Sequence, residues 1–174
     1  MDMATSYGEQ APVQDVEALL GAGLPEEAAQ HLNLAASLYH KDDVALDHLR
    51  QAELIAPGHP AVLIGLYRFY FYKGRLAECL DVALVCLSEA LHHNNLSEDW
   101  RQVQRGDADF SSYDMMPRFF LFVLKGYAYL QMRLGNLDEG LEAVMKLLDL
   151  DPTDKIGATL LLEVHQRSLQ DEDE

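Results

Sequence analysis

The sequence predicts an all-α fold, in which antiparallel helical hairpins recur along the chain, stack, and are closed by one further helix. Two observations predict it. Residues 119–152 read as two amphipathic helices around Leu134-Gly135-Asn136, and one such hairpin cannot cover both of its apolar faces alone. The turn also recurs, as Gly74 and before it as His40-Lys41-Asp42, 34 residues apart. From Gly74 to Gly135 is 61 residues, one more interval of 34 and an insertion of 27.

The elements follow in order. Residues 1–12 are polar, contain Gly8 and Pro12, and are expected to be mobile. Val13, Val16, Leu19 and Leu20 predict a short helix before Gly21-Ala22-Gly23. Pro25 followed by Glu26-Glu27 marks a helix start, with Ala29, Leu32, Ala35, Ala36 and Tyr39 on the packing side. Asp42 and Asp43 open a second helix whose Ala45, Leu49, Ala52 and Ile55 form a stripe. Pro57-Gly58-His59-Pro60 is a turn. The helix over 61–72 carries Tyr67, Phe69, Tyr70, Phe71 and Tyr72, too many rings in six positions to share one face. A helix over 76–91 follows.

In the insertion, Asn95 and Ser97 are candidate caps, a short helix over 98–104 carries Trp100, and 106–114 is loop. The next helix begins near Pro117, and Gly135 ends it in the left-handed conformation. Asn136-x-x-Glu139 has capping-box spacing for the helix that Pro152 stops. Asp154 is placed as the cap of a last helix over 155–169, with Ile156, Leu160, Leu161 and Val164 covering the open end of the stack. Asp171-Glu172-Asp173-Glu174 is a solvated acidic tail.

With this period, the chain resembles the tetratricopeptide-repeat (TPR) family, as three degenerate repeats with an insertion between the second and third. The resemblance rests on Ala45, Ala52 and Pro57 in the first repeat, and on Gly74 and Leu80 in the second. In the third it rests on Gly135, Asp138-Glu139, Leu148, Asp151 and Pro152. It implies one domain over 1–174, with repeats at 26–59, 60–93 and 121–154, the insertion at 94–120 and a capping helix at 155–169. The family's small residue of the first helices is met at Ala128, whereas Asn33 and Tyr67 occupy the equivalent places. Cys79 and Cys86 fall where the first repeat has Ala45 and Ala52, and are expected to be buried core residues.

Composition bounds the function. A chain of 174 residues with 49% apolar residues is long enough for one core, since a domain of this size buries about 70% of its unfolded surface. No apolar run approaches the roughly 20 residues of a membrane span. Met1 to Thr5 lacks a basic stretch leading into an apolar one, so a cytoplasmic protein is expected. A net charge of −16 disfavours nucleic-acid and anionic membrane partners. Phosphate-binding loops, zinc-protease motifs and nucleophile elbows are absent, so neither an enzyme nor a cofactor or metal is expected. His92-His93 reads as a helix C-terminal pair interacting with the dipole.

Charge is unevenly placed. Residues 57–77 and 115–137 hold six of the 13 basic residues, Arg68, Lys73, Arg75, Arg118, Lys125 and Arg133, and none of the 29 acids. In the TPR family the first helices line a concave groove that takes peptides. The matching positions here are Ala61, Ile64, Arg68, Phe71 and Tyr72, then Phe122, Lys125, Tyr129, Met132 and Arg133; the first repeat supplies Glu27, Gln30, Leu34, Ser37 and Leu38. Such a lining implies a non-catalytic adaptor, scaffold or chaperone-like module for a protein or peptide with apolar anchors and acidic or carboxylate groups. Trp100, Phe110 and Tyr113 of the insertion are the residues that would fill the groove instead. The carboxylate-clamp places read Gln30, Leu34, Gly65, Phe122 and Gly126, so that specialised function is not expected. Two alternatives are a type III secretion chaperone-like protein for translocator subunits, which small acidic three-repeat proteins resemble, and a self-associating subunit using the same face as a dimer interface.

Overall fold

A computed structural model describes residues 23–172 of the chain. The short helix expected at Val13–Leu20, the N-terminal twelve residues and the last two of the acidic tail lie outside the described residues. Within them are seven α-helices and no strand. They are α1 (Glu26–Ser37), α2 (Asp42–Ile55), α3 (Pro60–Tyr72), α4 (Leu76–His93), α5 (Met115–Arg133), α6 (Leu137–Leu150) and α7 (Leu160–Glu172), with a 3-10 turn at Trp100–Gln102. None of these helices is long and apolar enough to cross a membrane. The chain divides into two compact units between Gly65 and Leu66, inside α3.

In the first unit α1 packs on α2 through small side chains. Ala28 and Ala35 face Ala45, Leu46, Leu49 and Ala52, all buried. Neither helix has a side-chain cap; Glu26-Glu27 and Asp42-Asp43 in their first turns interact favourably with the helix dipoles instead. Gly65 lets Leu32 and Leu49 close over α3, where a Cβ would lie 3.3 Å from both side chains.

The second unit is built around α5, against which α4, α6 and α7 pack. Its turns repeat one device. The Gly74 amide donates to the Phe71 carbonyl and the Arg75 amide to that of Tyr70, with Gly74 at φ +72°. Gly135, at φ +90°, closes α5 in the same way through Met132 and Gln131. Both are Schellman closures, which need the left-handed conformation that glycine adopts freely. Asn95, expected to start a helix, closes α4 by the same pattern at φ +53°, a conformation asparagine tolerates. α5 and α6 approach closely at Ala128 and Gly140, where a Cβ on Gly140 would lie 2.5 Å from Met132 Cγ and 2.9 Å from the Ala128 carbonyl oxygen.

Four local expectations differ from what the structure shows. Asn136 does not cap α6, because its side-chain amide donates to Gln131 Oε1 at 2.7 Å. The helix expected over 98–104 is a single 3-10 turn, capped by Asp99, whose carboxylate accepts from the Arg101 amide at 3.0 Å. α5 starts at Met115, so Pro117 sits inside its first turn, where its missing N–H costs nothing. The last helix starts at Leu160 rather than Lys155 and runs to Glu172, taking in the first two acids of the expected tail. The Asp154 carboxylate takes the Ala158 and Thr159 amides and the Thr159 hydroxyl, and Gly157 at φ +72° interrupts any helix there. Leu161 is buried at that end, but Leu160 is exposed and Ile156 and Val164 are half-buried.

Two predictions test this packing. Gly140→Ala should lower stability by about 1–3 kcal/mol, because the backbone oxygen of Ala128 cannot yield as a side chain can; urea unfolding followed by circular dichroism measures it. Asp151 is buried and accepts hydrogen bonds from the Thr153 hydroxyl and from the Thr153 and Lys155 amides. Burial works to raise its carboxyl, but these hydrogen bonds outweigh it and hold the group below its ordinary 3.8. A depressed folded-state value stabilises above the unfolded value and loses that contribution as pH falls through the folded one. Asp151→Asn should therefore cost about 1.5–3 kcal/mol near neutral pH, and the gap to wild type should narrow steadily on acidification below about pH 4.

Candidate functional site

The two faces of α5 in the second unit carry different chemistry. On one, the insertion is laid down as a clasp. Trp100 is buried edge-on against Tyr127, ring centroids 6.0 Å apart, and Phe110 is buried against Phe120 at 5.9 Å. The Arg101 guanidinium lies 4.4 Å above the Trp100 ring and pairs with Glu139 and, at 3.0 Å, with Glu142. The Tyr127 hydroxyl also donates to Glu139. Burial would raise the Glu139 carboxyl, but Tyr127 and Arg101 together hold it below the usual range. Further on, Lys146 Nζ donates to the Val103 carbonyl at 2.9 Å and Arg105 Nε to that of Asp149 at 2.8 Å. Glu139, Glu142, Lys146 and Asp149 form one stripe of α6, so residues 99–105 run along that helix. A depression lined by Tyr127, Gln131, Asn136 and Glu139 lies beside the clasp. Its polar groups pair with one another, as the Asn136–Gln131 and Tyr127–Glu139 hydrogen bonds show.

The other face is aromatic. Tyr67 stacks on Phe71 at 6.0 Å, and Phe71 touches Tyr72 edge-on at 5.6 Å and Tyr129 at 5.8 Å. The Arg133 guanidinium lies 5.6 Å over the Tyr129 ring and donates to its hydroxyl at 2.6 Å. The Tyr67 hydroxyl reaches Gly126, where a Cβ would come within 2.6 Å of it. Burial, then the neighbouring Cys79 and Cys86, push that hydroxyl well above its usual value. Tyr72 is 49% exposed and Phe122, two turns before Tyr129 on α5, is 41% exposed. Phe69 and Tyr70 turn into the core, which is how the run of five rings divides.

The nine residues expected to bind are thus not one wall. Phe71, Tyr72, Tyr129 and Arg133 belong to the aromatic face of the second unit, and by helical spacing Arg68 lies one turn before Phe71 and Tyr72 on α3 and Phe122 two turns before Tyr129 on α5. Ile64 is half-buried in the first unit. Met132 is 2% exposed and fills the space over Gly140, and Lys125 is buried with its ammonium on the Ile156 carbonyl at 2.7 Å. Burial depresses the Lys125 value, with Asp154 opposing. These two were expected to be reachable from outside, and the packing of α6 and of residues 155–159 prevents it.

The other cations of the acid-free windows also have local seats. Lys73 lies over Phe69, Arg75 over Tyr70 and beside Glu78, and Arg118 and Lys155 both lie against the ring of Tyr113. Cys79 and Cys86 are free and buried as expected, and burial pushes both thiols up to about 12, so neither is a nucleophile at neutral pH. Among the described residues no three His, Cys, Asp or Glu side chains converge on a metal site. The ion pairs of the clasp escaped the sequence reading because Arg101 and Glu139 are 38 residues apart; Trp100 and Phe110, expected as residues that would fill the groove, are buried instead against Tyr127 and Phe120, and Tyr113 is exposed.

An all-helical protein with an aromatic surface and a clasped insertion is the class this defines. The chain belongs to the same family as the "Uncharacterized 19.8 kDa protein in nifW 5'region" of Azotobacter chroococcum mcd 1. It is 32% identical to that protein over 131 residues, 74% of this chain and 73% of the relative. No protein-family model and no solved structure matches the chain.

Trp100→Ala should destabilise the second unit by about 3–5 kcal/mol, since it empties the ring's seat against Tyr127 and strips Arg101 of its platform. Arg101→Ala should cost far less, because Arg101 and Glu142 are well exposed to solvent and Glu139 keeps the Tyr127 hydrogen bond. Urea melts of the two variants, followed by circular dichroism, measure the difference.

Proposed function

We propose that the chain is a non-catalytic, TPR-like interaction module of the cytoplasm, which binds a protein segment on the aromatic face formed by Arg68, Phe71, Tyr72, Phe122, Tyr129 and Arg133. The observation that carries this is the exposure of Tyr72 and Phe122 on a face whose other rings are already packed against one another. Tyrosine and arginine on such a face are the residue types that anchor protein partners. A segment with an apolar or aromatic anchor and a nearby carboxylate fits it, the carboxylate meeting Arg133 at the edge.

Support for TPR-like hairpins comes from a recurring close approach. Cys79 Sγ lies 3.5 Å from the Tyr67 carbonyl, and Gly140 lies against the Ala128 carbonyl. These pairs occupy equivalent places in the second and third expected repeats, where a small residue lets two helices of a hairpin close. In this reading α7, packed on α5 and α6, is the capping helix. The relative is named for its position beside nifW, so proteins encoded next to this chain are the first partners to test.

The test is affinity for a partner captured with the full chain and then purified. Tyr72→Ala and Arg133→Glu should each weaken binding about tenfold while circular dichroism and melting temperature stay close to wild type. Leu84→Ala, an exposed apolar residue on α4, is the control and should bind normally. Full affinity in both face variants would overturn the assignment.

A further inference from the structure

Three segments far apart in the sequence meet at one ring of the second unit, through residues outside the proposed binding face. Tyr113 ends the insertion, Arg118 lies near the start of α5, and Lys155 on the turn after α6. The Arg118 guanidinium lies 5.1 Å and the Lys155 ammonium 4.8 Å from the ring centroid of Tyr113, a residue 71% exposed. The turn holds Lys155 in place, because its amide donates to the Asp151 carboxylate at 3.0 Å and Asp154 takes the Ala158 and Thr159 amides. Lys155 also favours the charged form of Asp151, but from beyond ion-pair distance. Arg75, Arg101 and Arg105 each have a carboxylate at ion-pair distance. Among the described residues Arg118 and Lys155 have none. Two cations at one ring repel each other, and the ring's negative face offsets that only in part. An acidic group would complete the seat.

Arg118 lies one turn before Phe122 on the solvent side of α5, the side that also carries Tyr129 and Arg133. From Arg118 to Arg133 is 15 residues, about 22 Å of helix at 1.5 Å per residue. Each end of this stripe is an arginine lying on a tyrosine, and exposed Phe122 stands between them. Taking that face as the docking surface proposed above, we infer that it extends past Phe122 to a second cationic seat of Arg118 and Lys155, and takes a partner segment with acidic side chains at both ends of an apolar stretch. An extended segment spans that distance with about seven residues. The net charge of −16 opposes such a partner only at long range, where salt screens it beyond about 8 Å. Contact with Arg118, Lys155 and Arg133 is local and escapes that screening.

The experiment measures, by fluorescence anisotropy, the binding of three synthetic peptides to the full chain. They share one middle of leucine and tryptophan and differ only in carrying glutamates, glutamines or lysines at both ends. The glutamate peptide should bind at least about tenfold tighter than the lysine peptide, the reverse of what the net charge alone would give. Arg118→Gln and Lys155→Gln should each weaken the glutamate peptide several-fold and leave the glutamine peptide unchanged, with melting temperatures close to wild type. Tyr72→Ala should weaken all three alike. A missing preference for glutamate, or one that survives loss of both Arg118 and Lys155, overturns the second seat while binding that needs Tyr72 still stands. Self-association abolished by Arg118→Gln would give the seat to a second copy and overturn the inference too. If no peptide binds, or none needs Tyr72, the docking surface falls and the second seat with it.

Discussion

Helix α5 has only one narrow free side, the one that carries Phe122 and Arg133, and the second unit depends on burying the rest. Ten of its residues are buried, and they cover about two thirds of the cylinder rather than one stripe, leaving the side of Phe122 and Arg133 toward solvent. A helix apolar on nearly every side has to be surrounded, and here α4, α6, α7 and the insertion surround it. The insertion therefore cannot be a free loop, because Tyr127 and Phe120 would be bare without Trp100 and Phe110. The same constraint explains the C-terminal segment. Lys125 lies inside, and a buried ammonium needs an acceptor. The Ile156 carbonyl supplies it only if residues 155–159 stay out of a helix, in which that carbonyl would bond to an amide four residues on. The Asp154 carboxylate and Gly157 keep them out.

This also separates what could be read from the sequence from what could not. Helix positions and the turns at Gly74 and Gly135 were legible, because apolar period and a glycine in the left-handed region are local properties. The failures were motifs whose side chains found other partners than the ones local spacing suggests. Glu139, three residues after Asn136, is taken by Arg101 and Tyr127, and Asn136 itself by Gln131. Asp154 is a capping residue as expected, but of a turn and not of a helix. For the site, projecting family positions onto α5 assumed one facing surface. That assumption placed Tyr129 and Arg133 on a common face, but it could not tell that Met132 faces α6 or that Lys125 faces the C-terminal turn.

The acid-free windows were read as a positively charged wall, and the packing supplies a different reason for them. Lys73, Arg75 and Arg118 each lie over an aromatic ring, whose negative face attracts a cation. A carboxylate in any of those seats would be repelled by the negative face of the ring. Missing acids are thus a mark of aromatic packing around α3 and α5, and the charge pattern by itself says little about a ligand.

What remains for recognition is the arrangement of the rings. Phe71 is held between Tyr67, Tyr72 and Tyr129, and Tyr67 is in turn fixed where Gly126 leaves room for its hydroxyl. Rings fixed by one another lose little rotamer freedom when a partner arrives, which lowers the entropic cost of binding. Gly126 therefore bears on the surface although it makes no surface itself: a side chain there would displace Tyr67, release Phe71, and loosen the platform that presents Tyr72. On this argument the proposed binding face is a property of how α3 packs on α5 within the second unit, and Arg133 at its edge would orient a partner more than hold one.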